Sequence, residues 1–254
     1  QLQRSQGLVI TNNFYSADLI AFAPGAALGQ IELPESDNPL ARLLAEQAGL
    51  SVQALPRTVS SQFDIDSPSD VCVLALVGGA SPRLQALLDG WRLDLSPYRR
   101  VLPYFTDGTA QIVVAGRTGS QVWQHLERQT ACRVRFFAEE RGMQAEGRAQ
   151  GGQARSLLGF YLAEVGAERF FATLAELGDA AFLDSRVLLA HFGLEASRAD
   201  RFLSDLGCYE EIKEPFLREF THAALAAPIP LLLGGHSLLS GGLMALIDYA
   251  WREH

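Results

Sequence analysis

Three times along this chain an apolar run ends in a turn of small residues and passes into an amphipathic segment. The first is Val71-Cys-Val-Leu-Ala-Leu-Val-Gly-Gly79, then Ala-Ser-Pro82, then Arg83-Leu-Gln-Ala-Leu-Leu-Asp-Gly-Trp91. The second is Ala110-Gln-Ile-Val-Val-Ala-Gly116, then Arg-Thr-Gly-Ser120 and a segment to Gln129, returning through Cys132-Arg-Val-Arg-Phe-Phe137. The third is Pro228-Ile-Pro-Leu-Leu-Leu-Gly-Gly-His-Ser-Leu-Leu-Ser-Gly-Gly242, running into Leu243 to Trp251. Apolar strands alternating with helices are buried on both sides, so this pattern predicts an α/β fold with a mostly parallel, Rossmann-like sheet flanked by helices. Val101 to Phe105 reads as a further strand, with Pro103 pushing it to an edge.

The rest of the chain departs from that grammar. Short strands are expected at Gly7 to Thr11, Asp18 to Phe22 and Ser51 to Leu55. A helix is expected around Pro39 to Gln47, with Asp37 and Asn38 as cap candidates. The acidic stretch Ser60 to Asp70 reads as a loop, and Glu139 to Gln153, poor in apolar residues, as a linker. From Ala154 to Ala227 apolar residues recur at three and four: Leu157, Leu158, Tyr161, Leu162 and Val165, then Phe170, Phe171, Leu174 and Leu177. Ser197 to Leu206 and Pro215 to Ala226 read as two more helices. The expected organisation is a sheet domain over 1–153, a helical insertion or cap over 154–227, and a last strand, loop and helix over 228–254.

Composition narrows the function classes. A net charge of −8 and a pI near 5.1 lack the basic footprint of a nucleic-acid binder. Twenty of the 21 cationic residues are arginines, and Lys213 is the single lysine. It lies in the polar stretch Glu210-Glu-Ile-Lys-Glu214, so neither a Schiff base nor a Walker-type phosphate loop is expected. Cys72, Cys132 and Cys208 are widely spaced and odd in number, which fits a reducing compartment and small core residues better than a disulfide framework. With no apolar run of about 18 residues and no charged-then-apolar leader, a soluble cytoplasmic protein with no membrane partner is expected.

Candidate chemistry gathers at the turns. Gly116, Gly119 and Ser120 follow a strand and open a helix, where backbone amides can bind phosphate. The third glycine of a dinucleotide fingerprint is missing, and Glu139, roughly twenty residues on, is placed to meet a ribose hydroxyl. Gly78 and Gly79 form a second such turn; an ordinary tight turn is the alternative at both. In the last turn, Gly234, Gly235, Ser240 and Gly241 are expected to bind an anion through backbone amides. His236, flanked by glycine, is the first choice for acid–base work. Gly235-His-Ser-Leu-Leu239 resembles the nucleophile elbow of the α/β-hydrolases, which implies Ser237 as nucleophile. It departs from that pattern at Leu239, and too little chain follows Ser237 for the usual later acid and histidine. Asp64-Ile-Asp66 resembles the DxD of metal-dependent glycosyltransferases over three residues, with a solvated acidic loop as the plainer reading. His191, His222 and His236 have no metal-ligand spacing, and no metal is expected. Arg155, Arg169, Arg186, Arg198, Arg201 and Arg218 lie in the helical block, where arginines facing the sheet edge would suit a carboxylate or phosphate.

The expectation is an enzyme, a transferase or oxidoreductase sooner than a hydrolase. Its ligand would be a small anionic or nucleotide-containing molecule bound over the C-terminal ends of the strands under the helical block. The sequence names no cofactor and leaves open a homo-oligomer. A serine hydrolase or acyl-transferase using Ser237, and a non-catalytic nucleotide sensor or complex-forming subunit, are the alternatives.

Overall fold

The computed structural model describes residues 7–34, 39–141, 148 and 152–254. The cap candidates Asp37 and Asn38, and most of the linker expected at Glu139 to Gln153, lie outside the described residues. The chain divides into two compact units, Gln1–Gln62 and Phe63–His254.

The first unit holds three strands, β1 (Leu8–Thr11), β2 (Ile20–Ala23) and β3 (Ser51–Ala54), with helices α1 (Leu40–Glu46) and α2 (Val59–Gln62). Its strand order is β2-β1-β3, with β1 antiparallel to β2 and parallel to β3. Val9, Ala17, Ala27, Ala41, Leu44 and Leu50 form its small core. These strands form a sheet of their own; they do not extend the parallel one.

The second unit is built on four parallel strands, β4 (Gln111–Gly116), β5 (Arg133–Ala138), β6 (Ala180–Asp184) and β7 (Leu231–Gly234). Their order is β5-β4-β6-β7. Every residue of β6, and every residue of β4 after Gln111, is buried, as expected of central strands covered on both faces. Alternation divides them: Val113, Ala115, Ala181, Leu183 and Leu233 face one core. That core is closed by α7 (Leu157–Leu177), α8 (Ser185–Phe192) and α10 (Pro215–Leu225). On the opposite face Phe182 stacks on Phe105 at 5.5 Å. There α11 (Leu243–Glu253) packs against α3 (Pro68–Val77), α5 (Ser96–Thr106) and α6 (Ser120–Gln129). Helix α4 (Pro82–Gly90) follows α3, and α9 (Arg198–Asp205) follows α8. The α/β class with a parallel sheet flanked by helices is therefore as the sequence implies. Among the described residues no single helix is long and apolar enough to cross a membrane.

Three expectations are overturned. Val71 to Val77 is helix α3, and its apolar run misleads because a helix buried on several sides shows no clear 3.6 period. The helix start is nonetheless written in the sequence: Pro68 sits at its first position, and the Ser67 N–H donates to the Asp70 carboxylate at 2.8 Å. Val101 to Phe105 lies in α5, where Tyr98, Val101 and Phe105 share a buried stripe and Pro103 is accommodated inside the helix. The block 154–227 is not wholly helical, because β6 lies within it and pairs between β4 and β7. Its five residues sit between Gly178-Asp179 and the Asp184 cap of α8, too short a run for periodicity to separate from helix. Helix α7 is broken at Gly166, with φ 77, at the glycine between its two apolar repeats.

Candidate functional site

Going from β4 to β5 the chain moves to one side of the sheet, and from β5 to β6 it crosses to the other. The strand order therefore reverses between β4 and β6, and in open parallel sheets the carboxyl ends of such a strand pair flank a ligand crevice. Here protein fills that crevice. The Arg117 guanidinium donates to the Asp184 carboxylate through Nε at 2.6 Å and Nη2 at 3.1 Å, and the Arg117 backbone N–H adds a bond at 3.3 Å. Asp184, fully buried, also accepts from the Arg186 N–H at 3.0 Å and so caps α8. A Cβ at Gly116 would fall 2.3 Å from that of Asp184 and 2.9 Å from a Leu239 methyl. Glycine at 116 lets two strand ends and the last loop meet.

The open space lies beside the crevice, on the β6–β7 side. A cavity of about 860 Å³ is lined by Arg117 after β4, Arg186 after β6, Gly235 and His236 after β7, and Arg198 and Arg201 of α9. Asp66 and Glu195 also reach its wall. Arg186 is anchored from behind: its Nη1 and Nη2 each lie 2.5 Å from an oxygen of buried Asp205, and Nη1 also donates to Ser185 Oγ at 2.9 Å. Burial pushes Asp205 up to about 6, against the pull of Arg186, which leaves it ionised at neutral pH and keeps Arg186 charged. Arg201 donates to the Ala196 carbonyl at 3.0 Å. Its guanidinium is disfavoured by partial burial and by the like charges of Arg186 and Arg198. Among the described residues neither Arg198 nor Arg201 has a carboxylate within ion-pair distance. Arginines gathered in a half-enclosed space present guanidinium donors of the kind that binds an oxyanion.

His236 stands on the same cavity. Burial first, then the charges of Arg141 and Arg117, depress its imidazole to about 4. It is thus neutral at pH 7, able to accept a hydrogen bond but a weak base there, and no resident acid. Ser237 is buried, its hydroxyl donates to the Asp64 carbonyl, and its backbone is relaxed α-helical, with φ −64 and ψ −41. The Ser237 carbonyl accepts from Ser240 N–H and Gly242 N–H, each at 3.0 Å, and from Ser240 Oγ at 3.2 Å. Those amides are turned into the wide turn Leu238–Gly242, whose residues, Gly241 among them, are all buried. Gly234 packs tightly, since a Cβ there would meet Leu238 at 2.6 Å and Ser69 Oγ at 2.8 Å.

The other expected positions lie elsewhere. Gly78, with φ 73, ends α3, so Gly78 and Gly79 join two helices and follow no strand. Glu139 accepts from Ser156 Oγ at 2.6 Å and from the Leu158 N–H at 3.4 Å, at the start of α7. Gly119 caps α6, whose first residue is Ser120, and a Cβ at Gly119 would fall 2.9 Å from an Arg141 Nη1. His191 accepts from the Ser156 N–H at 3.1 Å, and His222 lies against Tyr209 at 4.6 Å. Among the described residues no three histidine, cysteine or acidic side chains are grouped to hold a metal ion. Of the arginines singled out in the sequence, Arg186, Arg198 and Arg201 meet at the cavity. Arg155 turns to the Gly152 and Ala154 carbonyls, Arg169 to Glu176, and Arg218 to the Ile212 carbonyl. Arg117 was hidden in its glycine-bearing turn, where only the fold shows that it points to Asp184.

Comparison of the chain with protein-family models, curated proteins and solved structures finds no significant match.

Proposed function

We propose that the chain binds a small oxyanion, a carboxylate or phosphate, in the cavity beyond the carboxyl ends of β6 and β7. One observation carries the reading: Arg117, Arg186, Arg198 and Arg201 line one cavity, with no carboxylate partner for the last two among the described residues. Its size falls in the range of small-molecule sites. Arg117 and Arg186 are held rigid by buried carboxylates and would fix the position of the anion, while Arg198 and Arg201 supply guanidinium donors that no described carboxylate takes up. Neutral His236 beside them gives the site a hydrogen-bond acceptor for a hydroxyl or a protonated acid on the ligand. The Rossmann-like reading, with a nucleotide phosphate at Gly116 to Ser120, has weaker support. The strand order suits it, but the Arg117–Asp184 pair fills the crevice, and none of Gly116, Gly119 and Ser120 lines the cavity.

The test is binding of phosphate, pyrophosphate and citrate, followed by calorimetry at low and high salt. Arg198→Gln and Arg201→Gln are each expected to weaken binding by at least tenfold, roughly the 1.5–3 kcal/mol of a charged hydrogen bond. Anion affinity that is the same in both variants as in the unmodified chain would remove the proposal.

A further inference from the structure

Resting on that anion-binding reading, we infer that the ligand is an amphiphile, a single oxyanion head on an acyl or alkyl chain, and that the chain lies in an apolar groove running away from the arginines. The arginine cavity shares Ile65, Ser67 and Phe202 with a second cavity of about 320 Å³. That one continues through Trp91, Leu93 and Leu206 into a third, of about 310 Å³, which runs beside β7 toward Leu225. Its described lining residues all belong to the unit Phe63–His254.

Its walls are large apolar side chains left open to water: Trp91 is 52%, Leu206 45% and Leu225 54% exposed. Scattered exposed leucines need no explanation, but a contiguous run opening into a charged cavity has the form of a site for a molecule with two unlike ends. The apolar walls set the nature of the ligand's far end. Asp66 stands at the junction, and Arg92 and Asp94, of opposite charge, line the third cavity among Trp91, Leu93, Leu206 and Leu225. A charge at the far end of the ligand would lose its water against those apolar side chains, so the chain end is uncharged. The groove is thus complementary to a monocarboxylate or phosphate monoester and not to a dicarboxylate.

The experiment compares butyrate, octanoate, suberate and octanol on the full chain, by ligand-observed NMR below the micelle-forming concentration of octanoate. Each methylene moved from water into the groove raises affinity by roughly three- to fourfold, so octanoate is expected to bind on the order of a hundredfold more tightly than butyrate. Octanol and suberate should both bind more weakly than octanoate. Trp91→Gln and Leu206→Gln are expected to shrink the octanoate-to-butyrate ratio, while Leu157→Gln, at an exposed position away from the groove, leaves it unchanged. Equal affinities for butyrate and octanoate, with binding still lost in Arg201→Gln, would overturn the amphiphile and leave the anion site standing. Octanol binding as well as octanoate, with no effect of Arg201→Gln, would overturn both. A dimeric mass that becomes monomeric in Trp91→Gln would assign the groove to a second copy and overturn the proposal.

Discussion

Gly116 and Gly235 look alike in the sequence, each at the end of an apolar run, yet their surroundings ask for opposite responses to the same methyl group. At Gly116, with φ 142, a Cβ would collide with Asp184 at 2.3 Å and with its backbone N–H nitrogen at 3.1 Å. Gly116→Ala is expected to cost about 3 kcal/mol, at the upper end of overpacking, read as a lower urea midpoint. At Gly235 the nearest atom is Arg186 Nε at 3.8 Å, so Gly235→Ala should stay within about 0.5 kcal/mol. Two titratable residues give a second residue-scale test. Burial raises Asp70 from 3.8 to about 6, and one of its oxygens has no hydrogen-bond partner. Asp70 therefore lends stability that is complete below pH 3.8 and is withdrawn as the pH rises through about 6. His236, lowered from 6.5 to about 4, lends stability above pH 6.5 that is withdrawn as the pH falls through about 4. The two oppose each other over one window. Relative to the unmodified chain, Asp70→Asn should gain stability as the pH rises from 4 to 7, and His236→Gln should gain it as the pH falls across the same range. Urea midpoints across that range measure both, and parallel curves for the two variants would contradict the assignment.

At the scale of elements, the strands differ in how far they are covered. All five residues of β6 are buried and β4 nearly matches it, while β5 alternates between exposed and half-buried positions. Amide hydrogen exchange should therefore be slowest in β4 and β6 and faster in β5; slower exchange in β5 than in β6 would contradict the strand order. The elements legible in the sequence were those with a strong period or a clear terminator. Helix α6 has its polar face, α7 its broken repeat around Gly166, and β4 and β7 their apolar runs ending in glycine. Those misread were elements whose burial erases the period. Helix α3 is apolar nearly throughout, so Val71 to Val77 imitates a strand, and only the Ser67–Pro68–Asp70 start contradicts it. In α5 the proline rule outweighed the stripe Tyr98, Val101 and Phe105. Strand β6 merges into the apolar start of α8, and its identity is settled by pairing with β4, a contact 68 residues away in sequence that no local window can see.

Over the whole molecule, the last of the turns singled out in the sequence reaches the cavity, and most of the cavity's lining was not legible. Gly235 and His236, in the last turn after β7, line it, and a glycine-rich turn after a buried strand is a local signal. The arginines required the fold: Arg117 and Arg201 are 84 positions apart, and their neighbourhood arises from the parallel pairing of β4 and β6 followed by the return of α9. Every described cavity-lining residue belongs to the unit Phe63–His254. A chain of residues 63–254 is therefore expected to fold cooperatively and to keep anion binding within about twofold of the full chain, about 0.4 kcal/mol. Loss of binding in a folded fragment would show that the first unit contributes to the site. The close meeting of Gly116 and Asp184 also has an evolutionary consequence. Among descendants of this fold, position 116 would stay glycine whatever the ligand, because the strand ends leave no room for a β-carbon. Positions 198 and 201 would drift with the chemistry of what is bound. Invariance at the glycine would then record ancestry, and substitutions at the arginines would record changes in what the cavity meets.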